Sequence, residues 1–134
     1  DAKLVEKINA SERLTANNTG LVLTIAANYG GRWDVLQATK SWLLDHPGAS
    51  LEELTEESLT PYLSTDNGPE VDLLIRTGGE SRVSNFMLWQ LAYAELYFTD
   101  KLWPDFRKED FYEAIEDFQK RDRRYGMVQE QTTD

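Results

Sequence analysis

Residues 71–85, VDLLIRTGGESRVSN, decide how the rest of the chain is read. Val71 to Arg76 is a short, mainly apolar run of the kind found in strands covered on both faces. It passes into Thr77-Gly78-Gly79-Glu80, a turn composition. Beyond the loop, FMLWQLAYA (86–94) is apolar nearly all round, which predicts a helix buried between layers. ELYFT (95–99) then reads as a further strand. Strand, polar loop, helix and strand in that order form an α/β unit.

The same alternation extends outward on both sides. LVLTIAA (21–27) predicts another buried strand, with Asn28-Tyr29-Gly30-Gly31 as its exit loop. A helix is expected from Arg32, with Trp33, Leu36, Leu43 and Leu44 as its apolar period and His46-Pro47-Gly48 as its stop. Before it, Asp1 to Ala16 reads as a helix with Leu4, Val5 and Ile8 on one side. Ser50 and Glu53 form a capping-box pattern, and Thr60-Pro61 suggests a helix start. After Trp103-Pro104 comes an amphipathic helix with Phe111, Ala114, Ile115 and Phe118 on one face and a basic end from Lys120 to Arg124. The large aromatics Trp33, Trp42, Phe86, Trp89, Phe98 and Trp103 are expected in the core.

The fold class is therefore α/β, with a mostly parallel open sheet flanked by helices. Three strands are few for so many helices, so the sheet is expected to be incomplete in this chain. Residues 1–126 are assigned to one domain and 127–134 to a flexible tail. A length of 134 residues suits one domain with a real core. Cysteine is absent, which removes disulfides and thiolate chemistry. A net charge of −10 argues against nonspecific nucleic-acid binding, which needs basic surface. Apolar runs fall far short of the roughly 20 residues of a spanning helix. A cytoplasmic location is expected, compatible with peripheral association with a membrane.

Ligands of open parallel sheets bind beyond the carboxyl ends of the strands. There the first predicted strand delivers Asn28, Gly30, Gly31 and Arg32, and the second delivers Arg76, Gly78, Gly79, Glu80, Arg82, Ser84 and Asn85. Two guanidinium forks match phosphate oxygens and keep their charge. Gly78 and Gly79 would let backbone N–H groups approach a ligand, and Ser84 would open a helix with a positive N-terminal end. Glu80 fits such a site by orienting an arginine or by meeting a cation such as Mg²⁺. Other readings stay open: Arg76 as a strand-end ion pair, Ser84 as a simple N-cap, Gly30-Gly31 as a tight turn. Glu95 between helix and strand fits either a structural ion pair or a metal ligand, and His46 a surface cap. The sequence carries no nucleotide P-loop, no GxGxxG, no HExxH and no GxSxG.

Taken together, IAANYGGRWD, VDLLIRTGGESRVSNFMLWQLAYAELYFTDKLWPDF and the closing RDRRYG resemble the undecaprenyl diphosphate synthase family, from about Leu14 to Gly126. The resemblance implies the cis-prenyltransferase fold, a homodimer, and Mg²⁺-dependent addition of isopentenyl diphosphate to farnesyl diphosphate with cis double bonds. The product implied is the undecaprenyl diphosphate carrier of cell-wall sugars. Carried over by position, Arg76, Arg82 and Ser84, with Gly79 and Glu80 of the same loop, are similar to the residues that hold isopentenyl diphosphate. Glu95 matches a carboxylate associated with the metal. Arg124 and Gly126 match a terminal R-x-G motif reaching toward the partner's site, and Leu21 and Leu23 match residues lining the tunnel for the growing chain.

Two departures qualify the resemblance. Ser81 stands where some relatives have a histidine near the metal. The family's DGNGRWA motif, with its metal-binding aspartate and allylic-diphosphate residues, is absent from this sequence. The expectation is a C-terminal portion with no catalytic aspartate of its own, inactive by itself. The alternative is a non-catalytic partner or dimerisation subunit, which would have no need of the arginine loop.

Overall fold

A computed structural model of the chain describes residues 1–65 and 68–122. Arg124, Tyr125, Gly126 and the tail 127–134 lie outside the described residues. Among the described residues two strands form the sheet, β1 (Leu73–Arg76) and β2 (Glu95–Phe98). They run parallel, with Leu73 opposite Glu95 and Arg76 opposite Phe98. Glu95 N–H donates to the Asp72 carbonyl and Thr99 N–H to the Arg76 carbonyl, so pairing continues just past both ends. A parallel pair cannot be closed by a hairpin, and residues 77–94 supply the crossover.

The helices are α1 (Ala2–Thr15), α2 (Gly31–Asp45), α3 (Glu56–Leu59) and α4 (Lys108–Gln119). Short 3-10 turns occupy Leu51–Glu53, Thr60–Tyr62 and Trp103–Asp105. Local chemistry sets many of these ends. Asp1 caps α1 by accepting from Lys3 N–H at 3.0 Å. The Ser50–Glu53 capping box is present, with Ser50 N–H donating to Glu53 Oε1 at 2.7 Å. The start expected at Thr60-Pro61 is realised as the 3-10 turn Thr60–Tyr62, but Thr60 lies inside it rather than capping it, and its hydroxyl donates back to the carbonyl of Glu56, the first residue of α3. His46 ends α2, its Nδ1 meeting the Trp42 carbonyl at 2.9 Å and its ring stacked on Trp42. Helix α4 packs against β2 and buries Ala114.

The main core gathers Ala38 and Trp42 of α2 with Leu59 and Leu63, edged by Val35, Leu54, Tyr62 and Trp89. This corrects the expected apolar period of α2. Trp33, Leu36, Leu43 and Leu44 are exposed, and the buried stripe is Asp34, Ala38 and Trp42 at four-residue spacing. The aromatic expectation divides likewise: Trp42 is buried, whereas Trp33 and Trp103 are exposed.

Two further expectations fail. Residues 21–27 form no sheet pairing, and Leu21 and Leu23 are 93% and 77% exposed. An apolar run becomes a strand only beside a partner edge, and the described residues place none along it. No tunnel surrounds Leu21 or Leu23 among these residues. Residues 84–93 are turns and bends rather than a helix. Ser84, Asn85 and Met87 take positive φ of 48°, 63° and 45°, which interrupts the helical ladder. A helix apolar on every side needs cover on every side, and here Leu88 and Tyr93 stay exposed.

Asp34 explains the unusual stripe of α2. It is 2% exposed and accepts from Ser64 N–H at 2.9 Å, Ser64 hydroxyl at 2.7 Å and Tyr29 hydroxyl at 2.8 Å, with Gln90 Nε2 at 3.4 Å. Burial pushes the Asp34 carboxyl up, but these donors outweigh it and hold its pKa below the ordinary value. Burial, reinforced by Asp34, pushes the Tyr29 phenol up to about 12. Gln90 also donates to Thr65 Oγ1 at 2.6 Å, so the network joins the 28–31 loop, α2, the 64–65 segment and the crossover.

Two measurements test this arrangement. Trp42→Ala is expected to cost about 3–5 kcal/mol by urea unfolding, while Leu44→Ala, 80% exposed, stays within about 0.5 kcal/mol. A large Leu44 effect would restore the apolar face read from sequence. The Asp34 contribution is fully present above about pH 4, the unfolded carboxyl range, and is lost as pH falls through its lowered native value. The Tyr29 contribution is fully present below the unfolded value of 10.0 and disappears as pH rises toward about 12. Asp34→Asn should flatten the acid limb of a stability–pH curve and Tyr29→Phe the alkaline limb.

Candidate functional site

The carboxyl end of β1 opens into a loop whose glycines are held to the other strand. Gly78 N–H donates to the Lys101 carbonyl at 2.8 Å and Gly79 N–H to the Thr99 carbonyl at 3.0 Å. Both glycines have positive φ, 90° and 75°, which explains the residue type. The expectation that these N–H groups face a ligand is thereby corrected: both are spent on the segment after β2. What the glycines provide is a tight exit that turns the following residues back over the strand end.

That return brings the predicted side chains together. Arg76 Nη1 donates to the Arg82 carbonyl and to Ser84 Oγ, the latter at 2.9 Å. Arg82 Nη2 pairs with Glu80 Oε2 at 2.6 Å, both side chains being well exposed. Arg76, Glu80, Arg82 and Ser84 thus form one cluster at the strand end, and Glu80 serves the role of orienting an arginine. An exposed ion pair of this kind is weak, so an incoming anion competes readily for the Arg82 fork. A guanidinium carries five N–H donors, and the contacts of Arg76 engage a single nitrogen. Ser84 heads no helix; its hydroxyl receives Arg76 instead.

Asn85, one residue on, has a structural role that sequence reasoning missed. Its main-chain carbonyl accepts from Gly31 N–H at 2.7 Å and its side-chain Oδ1 from Arg32 N–H at 3.0 Å. The first turn of α2 is capped from a distance of more than fifty residues along the chain. The glycine pair is explained by the same contact. A methyl group at Gly30 would lie 2.9 Å from Asn85 Nδ2, and one at Gly31 would lie 2.9 Å from the Leu88 nitrogen. Gly30-Gly31 is thus a point of close approach rather than a turn that needs positive φ. The available signal was two glycines ahead of a helix with no side-chain cap of its own.

Glu95 stands apart from the cluster. It begins β2 level with Leu73, whereas Arg76 is level with Phe98, about 10 Å further along at 3.3 Å per residue. Its Oε2 pairs with Arg121 Nη1 at 2.9 Å, and Arg121 also reaches Asp117 Oδ2 at 2.6 Å and the Leu96 carbonyl at 3.0 Å. Of the two readings of Glu95, the ion pair is the one this geometry realises. The described residues hold no group of three or more His, Cys, Asp or Glu side chains suited to a metal ion. With Glu80 on Arg82 and Glu95 on Arg121, they do not by themselves fit Mg²⁺. The arrangement can bind and orient an anionic group through fixed guanidinium and hydroxyl donors.

Comparison with known proteins follows the same line. A prenyltransferase family model, described as undecaprenyl diphosphate synthase, matches residues 1–126. An isoprenyl transferase of Neisseria meningitidis serogroup A is 54% identical over 129 residues, covering 96% of this chain and 50% of that protein. A ditrans,polycis-undecaprenyl-diphosphate synthase, (2E,6E)-farnesyl-diphosphate specific, of Pasteurella multocida is 53% identical over 131 residues, covering 96% of this chain and 55% of that protein. The chain therefore spans about half the length of these curated relatives. The crystal structure of lavandulyl diphosphate synthase from Lavandula x intermedia, in complex with dimethylallyl diphosphate, superposes with a TM-score of 0.88 at 35% identity, covering 95% of this chain and 56% of that one.

Proposed function

The chain belongs to the undecaprenyl diphosphate synthase family, and from that membership we propose that it is the part of a cis-prenyltransferase that grips isopentenyl diphosphate. The observation carrying this reading is the meeting of Arg76, Arg82 and Ser84 at the carboxyl end of β1. These contacts hold the loop on the strand end, and the same guanidinium and hydroxyl groups suit a diphosphate, whose oxygens accept several charge-assisted hydrogen bonds at once.

In the proposed reaction, the double bond of isopentenyl diphosphate forms a new C–C bond with the allylic carbon of farnesyl diphosphate as that carbon's C–O bond breaks and inorganic diphosphate leaves. Loss of a proton from the isopentenyl unit then forms the cis double bond, and the cycle repeats on the lengthened allylic diphosphate. Arg76 and Arg82 fix the diphosphate of the nucleophile, so its double bond is presented repeatedly in one orientation. This is a proximity contribution, since a loosely held nucleophile would forfeit it. The guanidinium groups also spread phosphate charge in a site they already shape. Glu80 holds the Arg82 fork in place until substrate enters.

The rest of the proposal concerns the whole enzyme and rests on the family resemblance. It comprises Mg²⁺ dependence with ligands supplied largely from beyond this chain, and undecaprenyl diphosphate as product. It also comprises a cytoplasmic homodimer in which Arg124 and Gly126 approach the partner's site, and a tunnel that includes Leu21 and Leu23. The chain alone is proposed to bind one diphosphate and to be inactive.

Titration calorimetry of the 134-residue chain with isopentenyl diphosphate tests the central point. Arg76→Ala and Arg82→Ala are each expected to weaken binding about 10- to 100-fold, the worth of a hydrogen bond to a charged group. Binding that both variants leave intact would remove the cradle and favour the non-catalytic subunit.

A further inference from the structure

We propose that Asn85 is a positioning residue for the arginine cradle, holding the 82–87 loop on the first turn of α2 so that Ser84 meets Arg76. The inference rests on the diphosphate-binding reading above and assigns a task to a residue that touches no part of the cradle with its own side chain.

Five observations carry it. Ser84, Asn85 and Met87 all take positive φ, a backbone state asparagine tolerates but serine and methionine rarely adopt without outside constraint. The constraint is visible: both carbonyls of Asn85 are bonded to successive N–H groups of α2, those of Gly31 and Arg32. Ser84 immediately precedes this anchor, and its hydroxyl accepts from Arg76. The α2 side is itself immobilised, because Asp34 in the next part of that turn is pinned by Tyr29, Ser64 and Gln90. Gly30 and Gly31 allow the contact, since a methyl group on either would collide with Asn85 or Leu88. The anchor works beside the Phe86 N–H bond to the Val83 carbonyl at 3.0 Å and the edge contact of Phe86 with Tyr29. Its loss would favour relaxation toward negative φ at residues 84 and 85, which would carry Ser84 away from the Arg76 guanidinium.

The test uses the 134-residue chain and inorganic pyrophosphate as probe, with binding by calorimetry and the ¹H–¹⁵N signals of the Arg76 guanidinium as a structural reporter. Asn85→Gly keeps positive φ accessible while deleting the side-chain anchor, so it is expected to fold. Gly31→Ala loosens the same contact from the other side. Both should raise the pyrophosphate Kd about tenfold, as the competent loop falls to roughly a tenth of the population, and both should shift the Arg76 signals. Ala38→Gly, which destabilises α2 at a buried site away from the loop, should lower the melting temperature yet leave Kd and the Arg76 signals unchanged. Wild-type Kd and Arg76 signals in Asn85→Gly would overturn the positioning role even while Arg82→Ala abolishes binding. Ala38→Gly matching Asn85→Gly in Kd would reduce the effect to general destabilisation and overturn it as well. Absence of pyrophosphate binding by the unaltered chain would remove both this inference and the diphosphate reading beneath it.

Discussion

The carboxylate of Asp34 is the constraint on which the rest of the structure depends. A charge withdrawn from water is tolerated only where donors replace the lost hydration, and no cation is bonded to Asp34 among the described residues. Its donors come from Tyr29, Ser64 and Gln90, so satisfying one side chain obliges three separate stretches of chain to meet on α2. Once those stretches meet, the beginning of α2 is fixed, and the segment bearing Ser84 is built onto it through Asn85. The route from fold to site is thus polar. The small apolar core around Trp42 sets where α2 and α3 lie, but it does not reach the arginines.

The sequence disclosed most where a local rule was enough. Helix limits followed from caps and breakers such as the Ser50–Glu53 box and His46-Pro47. The cluster of Arg76, Glu80, Arg82 and Ser84 was legible because all four lie within nine residues of one strand end. Long-range relations were not legible. The outward-facing period of Trp33, Leu36, Leu43 and Leu44 outweighed Asp34 in a hydrophobic reading, yet burial of α2 obeyed the carboxylate's need for donors. Apolar character in 21–27 and 86–94 reported a demand for cover without saying whether cover was at hand. The capping of α2 by Asn85 joins residues too distant in sequence for any spacing rule.

The two ends of the short sheet have divided their charges. At the carboxyl end stand Arg76 and Arg82, with the exposed Glu80 paired to Arg82 and Asp100 beside Gly79. At the opposite end Glu95, Asp117 and Arg121 close a small ion network that fastens α4 to β2. A molecule with a net charge of −10 can thus present a local cationic site, because screening over about 10 Å at 0.1 M salt separates such a cluster from acidic surface elsewhere. Overall charge describes how the molecule meets solvent and large polyanions; the strand end describes how it meets a small anion.

The unpaired segment 21–27 has a consequence for handling and for cellular fate. Seven residues without a charge, a proline or a glycine, unpaired and open to water, have the composition of a steric-zipper segment. A neighbour that covered this stretch would do more than complete a sheet: it would act as a gatekeeper against self-templated fibrils. Exposure of the ribbon favours association between copies whatever the strength of the Trp42 core.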